Sequence, residues 1–149
     1  MNIIKAFDSA FKRAQAKHWD YIYVLVDVHG TIFTPSYLNE EKYEFYPYAK
    51  EVLQLLSKDL NIKLILWTSS TNQAALDYGV VFNRNKIYFD YLNCNPEVER
   101  QPTDPETLDL SSKYYFNVGI DDKFGFDAEN DWKVIYNYLT EAIRLGKFR

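Results

Sequence analysis

The chain has 149 residues, of which 47% are hydrophobic, enough for one domain whose core needs neither a disulfide nor a structural metal. Its 17 Lys and Arg against 21 Asp and Glu give a net charge of −4, so a generally basic nucleic-acid footprint is excluded. Cys94 is the sole cysteine, which excludes an internal disulfide and fits a reducing compartment, and no apolar run approaches the ~18 residues of a membrane span. No signal-peptide pattern opens the sequence. These features predict a soluble, cytoplasmic protein, with aromatic residues for a core or for a homo-oligomer contact.

Residues 1–19 hold an amphipathic helix ahead of the first strand: Ile4, Phe7, Phe11 and Ala14 share a stripe, while Lys5, Lys12, Arg13 and Lys17 lie elsewhere on the wheel. That stripe is expected to pack on the sheet or on another subunit rather than on a membrane. Residues 21–27 follow as a buried strand, an apolar run that stops at Asp27 and turns through His29, Gly30 and Thr31. A carboxylate at the C-terminal end of a strand serves as a nucleophile or metal ligand, or else caps the turn. Residues 32–46 are polar and aromatic, a flap over the site. Pro47 suits a helical first turn, and Ala49, Val52, Leu53 and Leu56 give the apolar face of a helix ending near Lys58.

A second strand from Ile62 ends in the hydroxyl residues Thr68, Ser69 and Ser70. These either donate to a phosphoryl oxygen or cap the next helix, over residues 71–83, whose apolar residues are Ala74, Ala75, Leu76, Val80 and Val81. The third strand is expected at 87–91, a long loop at 93–112, and the fourth strand at 114–120. The fourth strand is preceded by Lys113 and closed by Asp121 and Asp122. Adjacent carboxylates repel, and they are most readily tolerated near a cation or in solvent. A last helix over 129–145 is expected to bury Trp132, Ile135, Tyr136, Leu139 and Ile143, with Asp127 as its N-cap and Gly146 as its C-cap.

Strands alternating with helices predict a single α/β domain over residues 1–149, a doubly wound, Rossmann-like parallel sheet with helices on both faces. Asp27, Thr68 and the Asp121-Asp122 pair then share the edge where such sheets bind ligands. Oxygen donors of this kind suit Mg²⁺.

In this order the elements resemble the haloacid dehalogenase superfamily of aspartate-nucleophile phosphatases. The resemblance runs from Tyr21 onward. The first motif of that family, Asp-x-Asp-Gly-Thr, reads here Asp27-Val28-His29-Gly30-Thr31. Its strand-ending hydroxyl matches Thr68, its upstream lysine matches Lys113 with Lys86 and Lys123 as rivals, and its acidic pair matches Asp121-Asp122. The resemblance implies that Asp27 attacks phosphorus while Thr68, Ser69 and Lys113 hold phosphoryl oxygens. It also implies Mg²⁺ on Asp27, on Asp122 and on the backbone carbonyl of His29, with Asp121 orienting Asp122 or a metal-bound water. His29 departs from the pattern, standing where family phosphatases carry the aspartate that protonates the leaving group. An imidazole is capable of the same acid-base work.

Neither interval between motifs has room for a cap domain, so an open, capless site is expected. Its substrate would be a phosphate monoester, small or macromolecular. Two other readings compete with the phosphatase: a non-catalytic phosphate- or metal-binding module in which His29 marks lost turnover, and a phosphorelay receiver-like domain. Receivers place their acidic pair at the first strand, whereas here it closes the fourth.

Overall fold

In a computed structural model, residues 2–34, 43–98 and 115–146 are described. Helix α1 (Ile3–Lys17) begins where the Asn2 side chain accepts hydrogen bonds from the amides of Ile4 and Lys5, at 3.1 and 3.3 Å. It ends at His18, whose left-handed backbone closes the last turn on Ala14 and Gln15. Ile3, Phe7, Ala10 and Phe11 are its buried residues, and each fully buried Phe contributes about 1.5–3 kcal/mol. The stripe therefore packs within the chain.

Strand β1 (Ile22–Asp27) leads to helix α2 (Ala49–Lys58), strand β2 (Ile62–Trp67), helix α3 (Asn72–Arg84), strand β3 (Tyr91–Leu92), strand β4 (Val118–Ile120) and helix α4 (Asp131–Leu145). All pairings are parallel and the strand order is β3-β2-β1-β4, a Rossmann-like arrangement. The chain winds outward from β1 to β3 and then returns to the other side of β1. The boundary between β1 and β4 is thus the point where the winding reverses.

The helices do not divide between the faces as expected. Ile22, Val24 and Val26 of β1, with Ile62, Leu64 and Leu66 of β2, form one core with buried residues of all four helices. Right-handed crossovers from β1 to β2 and from β2 to β3 run in one direction, so α2 and α3 must share a face. Contacts of α4 with α1 and with α2 bring the other two helices to that face. On the second face Tyr23, Leu25 and Ile65 form a smaller cluster with Trp67, Tyr91, Val98 and Phe116, and no helix among the described residues covers it.

Several boundaries also differ from expectation, and at two strand starts a side chain replaces backbone. Strand β3 was expected at 87–91 but starts at Tyr91, because the Asp90 carboxylate takes the Leu64 amide at 2.8 Å where a carbonyl would sit. Ile87 is fully buried all the same. Strand β4 starts at Val118 because Asn117 accepts from the Tyr23 amide through Oδ1 at 2.8 Å. Pro47 lies outside the first turn of α2, where Tyr48 takes the N-cap position with φ 67°. On α3 the buried residues are Tyr78 and Phe82, whereas Leu76 and Val80 are exposed. In α4, Ala142 is buried and Ile143 is exposed, while Gly146 caps the helix in the left-handed region as expected.

Candidate functional site

Strand β1 carries five buried residues and then Asp27, and its register with β4 pairs Val26 with Ile120. The next residue on each strand is an acid, so Asp27 and Asp121 leave the sheet side by side at the winding reversal. Asp122 follows in a short 3₁₀ turn, Asp122–Phe124, capped by Asp121, which accepts from the Lys123 amide at 2.9 Å. Carboxylate oxygens of Asp27, Asp121 and Asp122 all lie within 4.8 Å of one another.

Thr31 holds this cluster together. Its fully buried hydroxyl accepts from the Asp122 amide at 3.1 Å and has one proton to give, to Asp27 Oδ2 at 3.2 Å or to Asp122 Oδ1 at 3.5 Å. Trp132 of α4 donates its indole N–H to the Thr31 carbonyl at 2.7 Å. Gly30 makes the close approach possible. Its φ is +75°, and a Cβ there would meet Asp122 Oδ2 at 2.9 Å.

Three acids this close disfavour ionisation. Burial, then the charge of Asp121, push the Asp27 carboxyl up to about 6, although the Val28 amide and the Thr31 hydroxyl act in the opposite direction. Burial likewise raises Asp121, against the pull of the Lys123 amide and ammonium. Clustered oxygen donors that resist their own charge fit a hard divalent cation.

On the neighbouring strand, the pairing of Asp27 with Trp67 sets Thr68 one residue beyond the level of Asp27. Thr68 is buried and does not cap α3; Thr71 does, accepting from the Ala74 amide at 3.2 Å. The Thr68 hydroxyl instead accepts from the Ser70 amide at 3.1 Å and donates to Ser70 Oγ at 3.0 Å. Asn93, just past β3, grips the Thr68 backbone twice, Oδ1 accepting from its amide and Nδ2 donating to its carbonyl, both at 2.8 Å. Ser69 is exposed beside it.

His29 is exposed, and its Nε2 meets the hydroxyl of Tyr78. Thr31, Tyr78 and Asn93 were not among the candidates read from the sequence, and Ser70 entered only as one of three strand-end hydroxyls. Thr31 stands inside the first motif and was the one with a signal.

The lysines divide by position. Lys113 lies outside the described residues. Lys123 is exposed immediately after Asp122 and acts electrostatically on Asp121. Lys86 follows α3 and precedes β3, which puts it at the opposite edge of the sheet from Asp27. Asp127 is not the N-cap of α4, a position held by Asn130. Its carboxylate accepts from the Glu129 amide at 3.1 Å and from the Asn130 side chain at 2.9 Å, so it braces the turn before that helix.

Of the flap expected over 32–46, residues 35–42 lie outside the described residues; on either side of them the Thr34 amide donates to the Glu44 carbonyl and the Tyr46 amide to the Ile32 carbonyl, both at 2.9 Å. A groove of about 450 Å³ opens elsewhere, lined in part by Phe11, His18, Trp19 and Asn61, and contains none of the candidate residues. No helix among the described residues is long and apolar enough to cross a membrane.

A solved structure of a conserved protein from Bacteroides thetaiotaomicron is similar to this chain, with a TM-score of 0.60 and 26% identity over 81% of this chain and 91% of that one. The likeness bears on the fold. No protein-family model matches the chain, and no curated protein matches it.

Proposed function

We propose that the chain is a haloacid dehalogenase-like, Mg²⁺-dependent phosphatase that hydrolyses a phosphate monoester through an aspartyl-phosphate intermediate. The observation that carries this reading is the convergence of Asp27, Asp121 and Asp122 from β1 and β4 at the winding reversal, one strand away from the Thr68 hydroxyl. Asp27 and Asp122 would hold the cation, oriented by Asp121. A bound divalent cation would offset the like charges of the cluster and of the phosphoryl group.

The chain's own groups then divide the chemistry. An Asp27 carboxylate oxygen forms a bond to phosphorus as the ester P–O bond breaks, and protonated His29 gives its proton to the departing oxygen. In the second half neutral His29 takes a proton from water while the water oxygen bonds to phosphorus. The acyl P–O bond breaks, returning the Asp27 carboxylate and inorganic phosphate. Ser69 and a lysine, Lys113 or Lys123, would hold phosphoryl oxygens, joined by Thr68 once its proton turns from Ser70 Oγ to the phosphoryl group. The exposure of His29 and Asp122 supports an open site that takes small or macromolecular esters alike.

One observation favours a second reading, a phosphate- or metal-binding module without turnover: His29 stands in place of an aspartate and is engaged by Tyr78. Hydrolysis of p-nitrophenyl phosphate with and without Mg²⁺ separates the two. The phosphatase reading expects Mg²⁺-dependent turnover that is abolished in Asp27→Asn and lowered by about 10²–10⁴ in His29→Ala. Turnover no greater than that of Asp27→Asn across a panel of phosphate esters, with Mg²⁺ still bound, would establish the binding module instead.

A further inference from the structure

Among the described residues the His29 side chain has one hydrogen-bond partner, the phenol of Tyr78, which meets it at Nε2. The two rings stand edge to face, 5.5 Å apart at 77°. Tyr78 is itself held firmly. It is 3% exposed, and its ring packs against Phe33 at 6.1 Å and Tyr43 at 5.7 Å. All these ring contacts would survive in a phenylalanine, so packing alone does not account for the hydroxyl.

The hydroxyl's second contact is Ser70 Oγ at 3.3 Å, and Ser70 Oγ in turn receives the Thr68 hydroxyl at 3.0 Å. Each hydroxyl has one proton to give: Thr68 gives its own to Ser70 Oγ, and Tyr78 does the same, which leaves the phenol oxygen to accept from Nε2 of His29. The neutral ring then carries its proton on Nε2, and Nδ1 is unprotonated.

We infer that Tyr78 is a positioning residue for the proposed hydrolysis: its hydroxyl occupies Nε2 of His29, leaves Nδ1 as the nitrogen available for proton transfer, and joins the imidazole through Ser70 to Thr68. This rests on the phosphatase reading. Nδ1 gives its proton to the leaving oxygen and later takes one from water. Nε2 carries its proton both in the imidazolium and in the neutral ring that remains when Nδ1 has given its proton away, so the phenol oxygen of Tyr78 accepts from Nε2–H in both states. The partner is kept through both half-reactions, and the ring need not turn between them.

The test is Tyr78→Phe in the full chain, with two readouts. In Mg²⁺-dependent hydrolysis of p-nitrophenyl phosphate, kcat is expected to fall about tenfold, the worth of one hydrogen bond, with KM within about twofold. In long-range ¹H–¹⁵N spectra of the neutral ring, His29 of the unmodified protein is expected as the single Nε2–H tautomer and that of Tyr78→Phe as a mixture. His29→Ala identifies the signal against that of His18. The same tautomer in both proteins, or an unchanged kcat in Tyr78→Phe, would overturn the inference. A protein without turnover on any ester would instead sink the phosphatase reading and the role with it, while the spectra would still report whether Tyr78 orients the ring.

Discussion

At one end of the site Asp27, Asp121 and Asp122 are packed together against their mutual repulsion, whereas one strand away Thr68, Ser70, Tyr78 and Asn93 are joined by hydrogen bonds that satisfy every partner. The acid end is held by the backbone, two paired strand ends and a glycine turn, with Thr31 as its bridge. The hydroxyl end is held by side chains from three elements. The first arrangement stores unfavourable energy that an incoming cation would release, and the second is finished before any ligand arrives. No buried side-chain polar atom among the described residues lacks a partner, so the strain at the acid end is electrostatic rather than a matter of missing hydrogen bonds.

Changes at the two ends should therefore differ in their response to Mg²⁺ as well as in size. The largest effect is expected from Gly30→Ala, which places a Cβ 2.9 Å from Asp122 Oδ2 on a backbone with φ +75°. A cost of about 2–3 kcal/mol is expected in denaturant unfolding, and the stabilisation that Mg²⁺ gives the unmodified protein should be lost because Asp122 is displaced. An undiminished gain with Mg²⁺ would show that Asp122 is no part of the cation site.

Next in size is Asn93→Gly, which keeps the left-handed φ of 53° and removes both 2.8 Å bonds to the Thr68 backbone. A loss of about 1–2 kcal/mol is expected, independent of Mg²⁺. If Mg²⁺ restored that loss, the two ends would be one coupled unit and the contrast between them would fail.

The smallest effect carries the opposite sign. Because the Asp27 carboxyl is raised from 3.8 to about 6, the fold favours its protonated form. That contribution is fully present below about pH 4 and is lost as pH rises through about 6. Without metal, Asp27→Asn should thus be more stable than the unmodified protein at pH 8, by about 1 kcal/mol once the shift is discounted for a half-exposed group. Thermal unfolding should show the difference vanish near pH 4. A variant less stable at pH 8 would mean that the acids do not repel as the geometry indicates.

The same contrast explains what the sequence disclosed. Asp27 and the Asp121-Asp122 pair were legible because each interrupts an apolar run at a strand end, a local signal that needs no knowledge of packing. Tyr78 carries no such signal, and Asn93 reads as the start of a loop, because their roles depend on partners 49 and 25 residues away. The core stripes of α1 and α2 were readable from period alone, whereas Ile143 and Ala142 exchanged places because a neighbouring helix, not the wheel, decides the rim of a stripe. The placement of α2 and α3 on one face followed from strand order, which only long-range pairing supplies.

The most direct test of the central claim is to stop turnover of p-nitrophenyl phosphate in acid, in the presence of Mg²⁺, and to map the protein by mass spectrometry. One added phosphoryl group is expected on Asp27, stable in acid, labile to hydroxylamine and missing from Asp27→Asn. Turnover at full rate in Asp27→Asn, or a phosphoryl group mapped to another residue, would contradict it.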